Sequence, residues 1–150
     1  MKVQDEAARL ESLLPQVISI LFHSGEADPL RHHTVGQIRL MRTLLTGSKT
    51  ASELSQRLGL SPSSLTQMVG RMVRAGLVAK GLDPEDRRVR MLSLTPAGRE
   101  LMENRQGLRI RKAKTVLERM DPNEVRAFIE LLEQIRCLQP EPVVLAEAVV

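Results

Sequence analysis

The sequence predicts a mainly α-helical fold with one small β-hairpin. Apolar residues recur at helical spacing over most of the chain, and strand-like runs occur only between residues 77 and 94. Just before the hairpin, two adjacent helices with strong start and stop signals have the arrangement of a helix-turn-helix. A chain of 150 residues is long enough for one domain with a well-filled core, or for one domain with an extension.

The first two predicted helices lie in the N-terminal third of the chain. Helical spacing extends from about residue 4 to residue 24, and Pro15 within it predicts a kink or a break. Thr34 is placed to cap the second helix, with Gln37 in the capping-box position. We expect that helix to end at Gly47. Its predicted inward-facing residues are Val35, Ile38, Met41, Leu44 and Leu45.

The two helices of the helix-turn-helix have clear capping signals. Thr50 caps the first helix, with Glu53 three residues later, and Gly59 ends it. Ser61 then caps the second helix, and Pro62 takes its first position, where a missing N–H is harmless. The predicted inward-facing residues are Ala51, Leu54 and Leu58 on the first helix and Leu65, Met68, Val69, Met72 and Val73 on the second.

The solvent face of the second of these helices has no carboxylate. It presents short hydroxyl groups, one amide and two guanidinium groups, whereas a surface helix usually has charges of both signs. Such a face is suited to a DNA major groove, where base edges provide donors and acceptors and phosphates line the rims. An ordinary surface helix of a bundle is the alternative, since helix-turn-helix geometry recurs without DNA binding. The candidate DNA contacts are Ser61, Ser63, Ser64, Thr66, Gln67, Arg71 and Arg74.

Two aliphatic runs, 77–82 and 89–94, predict the strands of the hairpin. The segment between them contains turn-forming residues and ends in two arginines, so the hairpin has a charged tip.

Two further helices follow the hairpin. Thr95 and Pro96 begin a long helix that we expect to continue towards Met120, and Asp121 starts the last helix. Helices at both ends of the chain have more apolar surface than a central domain can cover, so we expect a two-fold symmetric dimer. The apolar stripe of the last helix consists of Val125, Phe128, Ile129, Leu132 and Ile135.

Basic residues are concentrated in the middle of the chain. Residues 39–114 contain 16 basic and 6 acidic side chains, whereas both ends are acidic and the whole chain has a net charge of +4. This distribution is typical of a module that binds a polyanion. Duplex nucleic acid fits it better than an anionic membrane, because the basic residues do not follow one face of a long apolar helix. With two Phe and no Trp or Tyr, the chain lacks the aromatic residues on which single strands stack.

Other classes of function find no support in the sequence. It has no Gly-rich phosphate loop, nucleophile elbow or suitably spaced Ser-His-Asp arrangement, so we expect neither enzymatic activity nor a cofactor. His23, His32 and His33 do not complete a metal site, because adjacent loop histidines diverge and the later helices contain no histidine. Cys137 is the single cysteine, and we expect it to be a buried, unreactive thiol. Acidic residues near the N-terminus and the absence of a long apolar run predict a cytoplasmic protein with no membrane association.

Five local patterns make the chain resemble the MarR-type winged-helix transcription regulators. The resemblance covers roughly residues 5–138. Its most specific part is the charged hairpin tip followed, at a fixed distance, by a Leu-Thr-x-x-Gly segment. It implies a winged helix-turn-helix, mainly α with a small β-hairpin wing, with N- and C-terminal dimerisation helices. The patterns are Ser61-Pro62-Ser63-Ser64-Leu65-Thr66, Gly76-Leu77-Val78, Asp83-Pro84-Glu85-Asp86-Arg87-Arg88, Leu94-Thr95-Pro96-Ala97-Gly98 and Met120-Asp121-Pro122-Asn123-Glu124.

The resemblance implies a homodimer that binds double-stranded DNA. Each protomer would place the second helix of its helix-turn-helix in a major groove and its wing in the adjacent minor groove. In the wing, Arg88 would probe the minor groove, whose narrow form focuses negative potential. Asp86 would hold Arg88 or the neighbouring backbone in position, and Arg87 and Arg90 would lie on phosphate. The alternative is that these wing residues form only a surface ion-pair cluster.

One position departs from the family's pattern. Many members have an arginine where Gln67 stands. Glutamine can bind adenine through two hydrogen bonds, so Gln67 remains a candidate base contact, but its target base need not be the family's usual one.

The resemblance also divides the chain by role. Residues 34–95 would form the winged helix-turn-helix, residues 1–33 and 96–138 the helical dimerisation region, and residues 139–150 a C-terminal tail. Members of the family commonly bind small anionic or aromatic effectors between these two regions. The candidate effector contacts here are Arg9, His33, Arg105 and Arg109.

We therefore predict a transcription regulator, acting as a repressor, that binds a pseudo-palindromic operator as a homodimer. Its affinity for DNA would be modulated by a small anionic or aromatic effector. The alternative is a winged-helix module that binds proteins and not DNA.

Overall fold

The computed structural model describes residues 2–138, which form six α-helices and a three-stranded antiparallel sheet. The predicted C-terminal tail, residues 139–150, lies outside the described residues. The helices are α1 Lys2–Phe22, α2 Val35–Leu44, α3 Ala51–Leu58, α4 Pro62–Arg74, α5 Pro96–Leu117 and α6 Pro122–Cys137. The strands are β1 Lys49–Thr50, β2 Val78–Leu82 and β3 Arg90–Leu94. The predicted fold class, mainly α with a β-hairpin wing, is confirmed.

Every helix from α2 to α6 begins at a side-chain cap that the sequence predicts. Thr34 and Thr50 form complete capping boxes with Gln37 and Glu53 at the starts of α2 and α3. Gly59 ends α3 with φ 65°, a left-handed conformation that glycine adopts without steric cost. The caps of α4, α5 and α6 are Ser61, Thr95 and Asp121.

The sheet contains one strand more than the predicted hairpin. Strands β2 and β3 pair antiparallel, with Val78 opposite Leu94. Strand β1 pairs Lys49 with Leu92 and gives the strand order β1-β3-β2. The sequence indicates Thr50 only as a helix cap, because a strand of two residues is too short to show alternation.

The hydrophobic core lies in the helix-turn-helix region. It is built by α2, α3 and α4 together with the sheet, one residue of the loop before α2 and one residue of α5. Helices α1 and α6 have no buried residue in the described chain. The core residues are Leu30, Leu40, Met41, Leu44, Leu54, Leu58, Leu65, Val69, Met72, Val78, Leu92 and Met102.

One helix interpretation is wrong and another is wrong in part. Helix α1 has no break at Pro15, because the loss of one backbone hydrogen bond does not end a helix that continues on both sides, and the kink stays a prediction. Val35 is 75% exposed. At about 100° per residue it lies opposite Leu44, so Leu40 and Met41 form the inward face of α2 with Leu44 instead.

Two residues expected to be buried are exposed. Ala51 lies in the first turn of α3 and lines an open surface groove between α3, α4 and the sheet. Cys137 is exposed, and within residues 2–138 no residue of α6 is buried.

Candidate nucleic-acid interface and ligand cleft

The predicted contact face of α4 points to solvent. Its opposite face is fixed in the core by Leu65, Val69 and Met72, so the helix can present only one side outward. All seven candidate residues on α4 and its cap are exposed: Ser61, Ser63, Ser64, Thr66, Gln67, Arg71 and Arg74.

Hydrogen bonds among hydroxyl groups define the start of α4. The Ser61 hydroxyl oxygen accepts from the Ser64 backbone N–H at 3.2 Å and donates to the Ser64 hydroxyl at 2.9 Å. The Ser63 hydroxyl lies 3.2 Å from the same oxygen, and Thr66 donates to the Pro62 carbonyl at 2.8 Å. The first turn has no acidic residue, so the positive end of the helix dipole faces solvent without a competing carboxylate. This surface can approach phosphates and base edges closely.

The wing tip is organised by two aspartates that bind backbone N–H groups. The Asp83 carboxylate accepts from Glu85 N–H at 2.7 Å and from Asp86 N–H at 3.3 Å. The Asp86 carboxylate accepts from Arg88 N–H at 3.0 Å. Asp86 therefore holds the backbone at Arg88, and the Arg88 side chain is left exposed.

The wing arginines do not form an ion-pair cluster. Arg87, Arg88 and Arg90 are exposed, and within residues 2–138 none of them lies within 4.0 Å of a carboxylate oxygen. Their positive charge is therefore available to an external anion.

The face of α4 and the wing strands meet at one groove. Thr66 of α4 and Lys80 and Arg90 of the wing line the same surface depression, which has a volume of about 440 Å³. The predicted base-reading helix and the predicted phosphate contacts are thus neighbours on one surface.

Arg105 and Arg109 lie together at a second cleft, between α1, α5 and the loop that follows α1. The cleft has a volume of about 460 Å³. Arg105 Nε lies 3.1 and 3.0 Å from the two carboxylate oxygens of Asp28, and both side chains are only 15% exposed. The Arg109 guanidinium lies over the ring of Phe22, 4.6 Å from its centroid. Burial lowers the pKa of Arg109, and the positive charges of Arg105 and Arg42 lower it further.

Two of the four candidate effector contacts lie away from this cleft. Arg9 is on α1, where its exposed side chain forms an ion pair with Glu6 at 3.6 Å, and it does not line the cleft. His33 does not line it either, and its buried Nδ1 has no hydrogen-bond partner in the described chain. Phe22 and Asp28 also line the cleft, and they could not be predicted from the sequence because nothing local connects them to residues of α5 far along the chain.

Two further kinds of site receive no structural support. Among residues 2–138, no three His, Cys, Asp or Glu side chains converge on a possible metal site. No helix of the described part of the chain combines the length and apolar character needed to cross a membrane.

Comparison with known proteins assigns the chain to a family. The family model described as the MarR family matches residues 33–89. The solved structure of a MarR family protein from Bacillus stearothermophilus is 30% identical in sequence and superimposes with a TM-score of 0.74, covering 89% of this chain and 94% of that one. The chain belongs to the MarR family. Members of this family are transcription regulators and not enzymes.

Other proteins similar to this MarR-family chain support the same assignment. The structure of RV1404 from Mycobacterium tuberculosis is 26% identical and superimposes with a TM-score of 0.77, covering 94% of this chain and 95% of that one. The uncharacterized HTH-type transcriptional regulator YcgE of Bacillus subtilis is 32% identical over 94 residues, 59% of this chain and 61% of its own length. The similarity to YdgJ, a second such regulator of the same bacterium, is 27% over 85 residues and 52% of that protein. The chain thus spans about half to three fifths of the length of these curated relatives.

Proposed function

We propose that this MarR-family chain is a homodimeric regulator that binds double-stranded DNA at a pseudo-palindromic operator. Each protomer contributes α4 to a major groove and the wing to the adjacent minor groove. The half-sites lie about one helical turn apart, roughly 10 base pairs, so that two α4 helices reach one face of the duplex. Occupying the operator represses transcription.

The groove shared by α4 and the wing is the observation that best supports this proposal. Thr66, Lys80 and Arg90 line it, and the exposed polar face of α4 has no carboxylate. The exposed wing arginines are free of carboxylate partners in the described chain, so they match the phosphates that flank a base-reading helix. Asp86 contributes indirectly, since it orders the backbone from which Arg88 projects.

The unburied faces of the terminal helices support the homodimer. Within residues 2–138, helices α1 and α6 have no buried residue, and many of their aliphatic side chains are exposed. A two-fold interface formed by residues 1–33 and 96–138 would bury them and join two DNA-binding regions. The exposed aliphatic residues of the two helices are Val3, Leu10, Leu13, Leu14, Ile18 and Ile20 on α1 and Ile129, Leu131, Leu132 and Ile135 on α6.

The wing can be tested with duplexes selected by the wild-type protein from a random pool. Arg88→Ala should weaken binding to a selected duplex roughly tenfold and reduce the slope of log affinity against log salt by about one unit per wing, because fewer counterions are released. The matched control is Arg119→Ala, which removes the same charge beyond the far end of α5, about 33 Å along that helix from the wing. It should leave affinity and slope unchanged.

Two results would contradict the proposal. An Arg88→Ala variant with unchanged affinity and salt slope would exclude the wing from DNA binding. A wild-type protein without affinity for random duplex at low salt would favour the alternative, a winged-helix module that binds proteins.

We further propose that a small anionic or aromatic effector binds in the cleft beside Arg105 and Arg109. The cleft is lined by three arginines, Arg31, Arg105 and Arg109, and by a single carboxylate, Asp28. The charge of Arg105 lowers the pKa of Arg109, so an added anion would relieve the repulsion between these two arginines. The ring of Phe22 offers an apolar contact. A ligand that favours a dimer geometry unable to span both half-sites lowers DNA affinity by linkage.

Benzoate and neutral benzamide form a matched pair of probes for the cleft. Benzoate should release a selected duplex, and benzamide at the same concentration should not. Arg109→Gln should abolish the response to benzoate without changing DNA binding in its absence. Equal release by both compounds, or an unchanged response of the variant, would remove the cleft from the mechanism.

A further inference from the structure

We propose that Thr95 is a positioning residue for DNA recognition. Its hydroxyl ties the end of α4 and the start of the wing to the first turn of α5, and so sets the distance between the two DNA-reading surfaces of the dimer. The inference rests on the proposed function, since it concerns how the DNA-binding elements are held.

The end of α4 presents two backbone carbonyls for this contact. Gly76 has φ 72° and turns the chain from α4 towards β2. The N–H groups of Gly76 and Leu77 bond back to α4, to the carbonyls of Val73 at 2.9 Å and Met72 at 3.0 Å. The carbonyls of Gly76 and Leu77 accept from a different element.

Thr95 binds both of these carbonyls. Its hydroxyl donates to the Gly76 carbonyl at 2.6 Å, and its backbone N–H donates to the Leu77 carbonyl at 3.1 Å. The same hydroxyl oxygen accepts from the Gly98 N–H at 3.0 Å and caps α5. A hydroxyl can donate and accept at once, whereas a carboxylate can only accept. The residue is thus required in two roles, and capping accounts for only one of them.

Gly98 brings the two backbones into direct contact. A Cβ at this position would overlap the Leu77 carbonyl oxygen and lie 3.0 Å from the Leu77 carbonyl carbon. Since no side chain separates the first turn of α5 from the junction between α4 and the wing, the contact has no flexible part that could absorb a movement.

Helix α5 connects this contact to the proposed dimer base. It has 22 residues, a length of about 33 Å, and its middle is fixed to the loop before α2 by the Arg105–Asp28 ion pair. Over that length, a rotation of about 5° displaces the far end by roughly 3 Å, close to the 3.4 Å rise of one base pair. A firm contact at Thr95 therefore makes the dimer discriminate between operators whose half-site spacings differ by one base pair. A loose contact allows each α4 to shift and to bind half-sites at other spacings.

Two substitutions separate positioning from capping. Thr95→Asp keeps the acceptor for Gly98 N–H but cannot donate to Gly76 and places a carboxylate against its carbonyl. Thr95→Ser keeps a hydroxyl that can donate to the Gly76 carbonyl and accept from the Gly98 N–H, so it is the conservative control. The probes are a duplex selected by the wild-type protein, the same duplex with one base pair inserted or deleted between the half-sites, and a single half-site. Circular dichroism establishes that each variant is folded under the conditions of the binding measurement.

The expected result is a loss of spacing discrimination. Wild type and Thr95→Ser should prefer the selected spacing over the altered ones by about tenfold or more, and Thr95→Asp by less than about threefold. All three proteins should bind the single half-site with affinities that agree within about twofold. If Thr95→Asp does not fold, Thr95→Ala, which removes the hydroxyl without adding charge, is compared on the same duplexes and should show the same loss.

Three results would overturn the inference. One is a folded variant without the hydroxyl bond that discriminates spacing as the wild type does. Another is an equal loss of affinity for every duplex, the single half-site included, which would show a purely structural role. If the wild-type protein selects no duplex at all, the proposed function fails, and this inference fails with it.

Discussion

Gly98 and Gly107 lie on the same helix, but only Gly107 has room for a side chain. A Cβ at Gly98 would collide with backbone atoms of Leu77, which cannot rotate away. A Cβ at Gly107 would meet only the flexible end of Arg111, at 3.5 Å. The Leu-Thr-x-x-Gly segment therefore contains its glycine because α5 packs directly on the end of α4.

This difference predicts opposite effects of alanine at the two positions. Gly98→Ala should lower the free energy of unfolding by about 1–3 kcal/mol, since the added methyl group has no space. Gly107→Ala should raise it by about 0.5–1 kcal/mol, because alanine loses less backbone entropy than glycine in a helix. Urea unfolding of both variants and the wild type measures the two changes. Similar effects of the two substitutions would show that the packing at Leu77 is not tight.

Contacts of single residues could be predicted from the sequence only where they are local. The exposed contact face of α4 follows from its caps and its apolar period, and Asp86 reaches Arg88 within two residues. The pairing of Asp28 with Arg105 crosses 77 positions, and no pattern in the sequence connects them. The same holds for the hydroxyl of Thr95: the sequence predicts its role as a cap, but not its hydrogen bond to the Gly76 carbonyl, 19 positions away.

At the scale of helices and strands, capping chemistry made the starts of five helices predictable. Each cap is a Ser, Thr or Asp whose oxygen satisfies an N–H group that the helix itself cannot pair. Strand β1 was not predictable in this way, because it exists only through pairing with β3, more than 40 positions later. The inward face of α2 was partly misassigned, because Val35 fits an apolar pattern but lies opposite Leu44.

The stability that the cap of α3 gives to the fold should depend on pH. The backbone N–H of Thr50 donates to Glu53 Oε2 at 2.7 Å, and this bond, with that from the Thr50 hydroxyl, holds the pKa of Glu53 below its ordinary value of 4.5. A carboxylate whose pKa is lower in the folded state than in the unfolded state stabilises the fold at pH values above its unfolded-state pKa. This stabilisation is lost as the pH falls through its folded-state pKa.

Glu53→Gln tests this pH dependence, because glutamine keeps a neutral acceptor at the cap. The wild type should be more stable than the variant at pH 7, and the difference should disappear as the pH falls through the lowered pKa of Glu53 in the folded state. Urea midpoints of both proteins between pH 7 and pH 3 measure it. Glu103→Gln, on the exposed side of α5 away from any cap, is the control and should follow the wild-type curve. Parallel curves for Glu53→Gln and the wild type would show that the charge of Glu53 does not stabilise the helix.

At the scale of the whole molecule, the chain has two parts with different degrees of burial. Among residues 2–138, the helix-turn-helix and the sheet contain nearly all buried residues, whereas α1 and α6 contain none. The excess of apolar surface on the terminal helices predicts a dimer, whereas the predicted burial of Cys137 is wrong. Cys137 is exposed, as are most residues of α6 within residues 2–138.

Leu132→Glu tests whether a second copy provides that cover. Leu132 lies in the middle of the apolar stripe of α6 and is 42% exposed in the single chain. A charge buried without a partner would strongly destabilise the proposed interface, so the variant should have the mass of one chain in sedimentation, where the wild type should have the mass of two. Its affinity for a duplex with two half-sites should fall at least about a hundredfold, because the two DNA-binding regions no longer act together. Val35→Glu introduces the same charge at an exposed aliphatic residue on α2 and should leave the mass unchanged. A monomeric wild type, or a Leu132→Glu variant that remains dimeric, would show that α6 is not part of the interface between two copies.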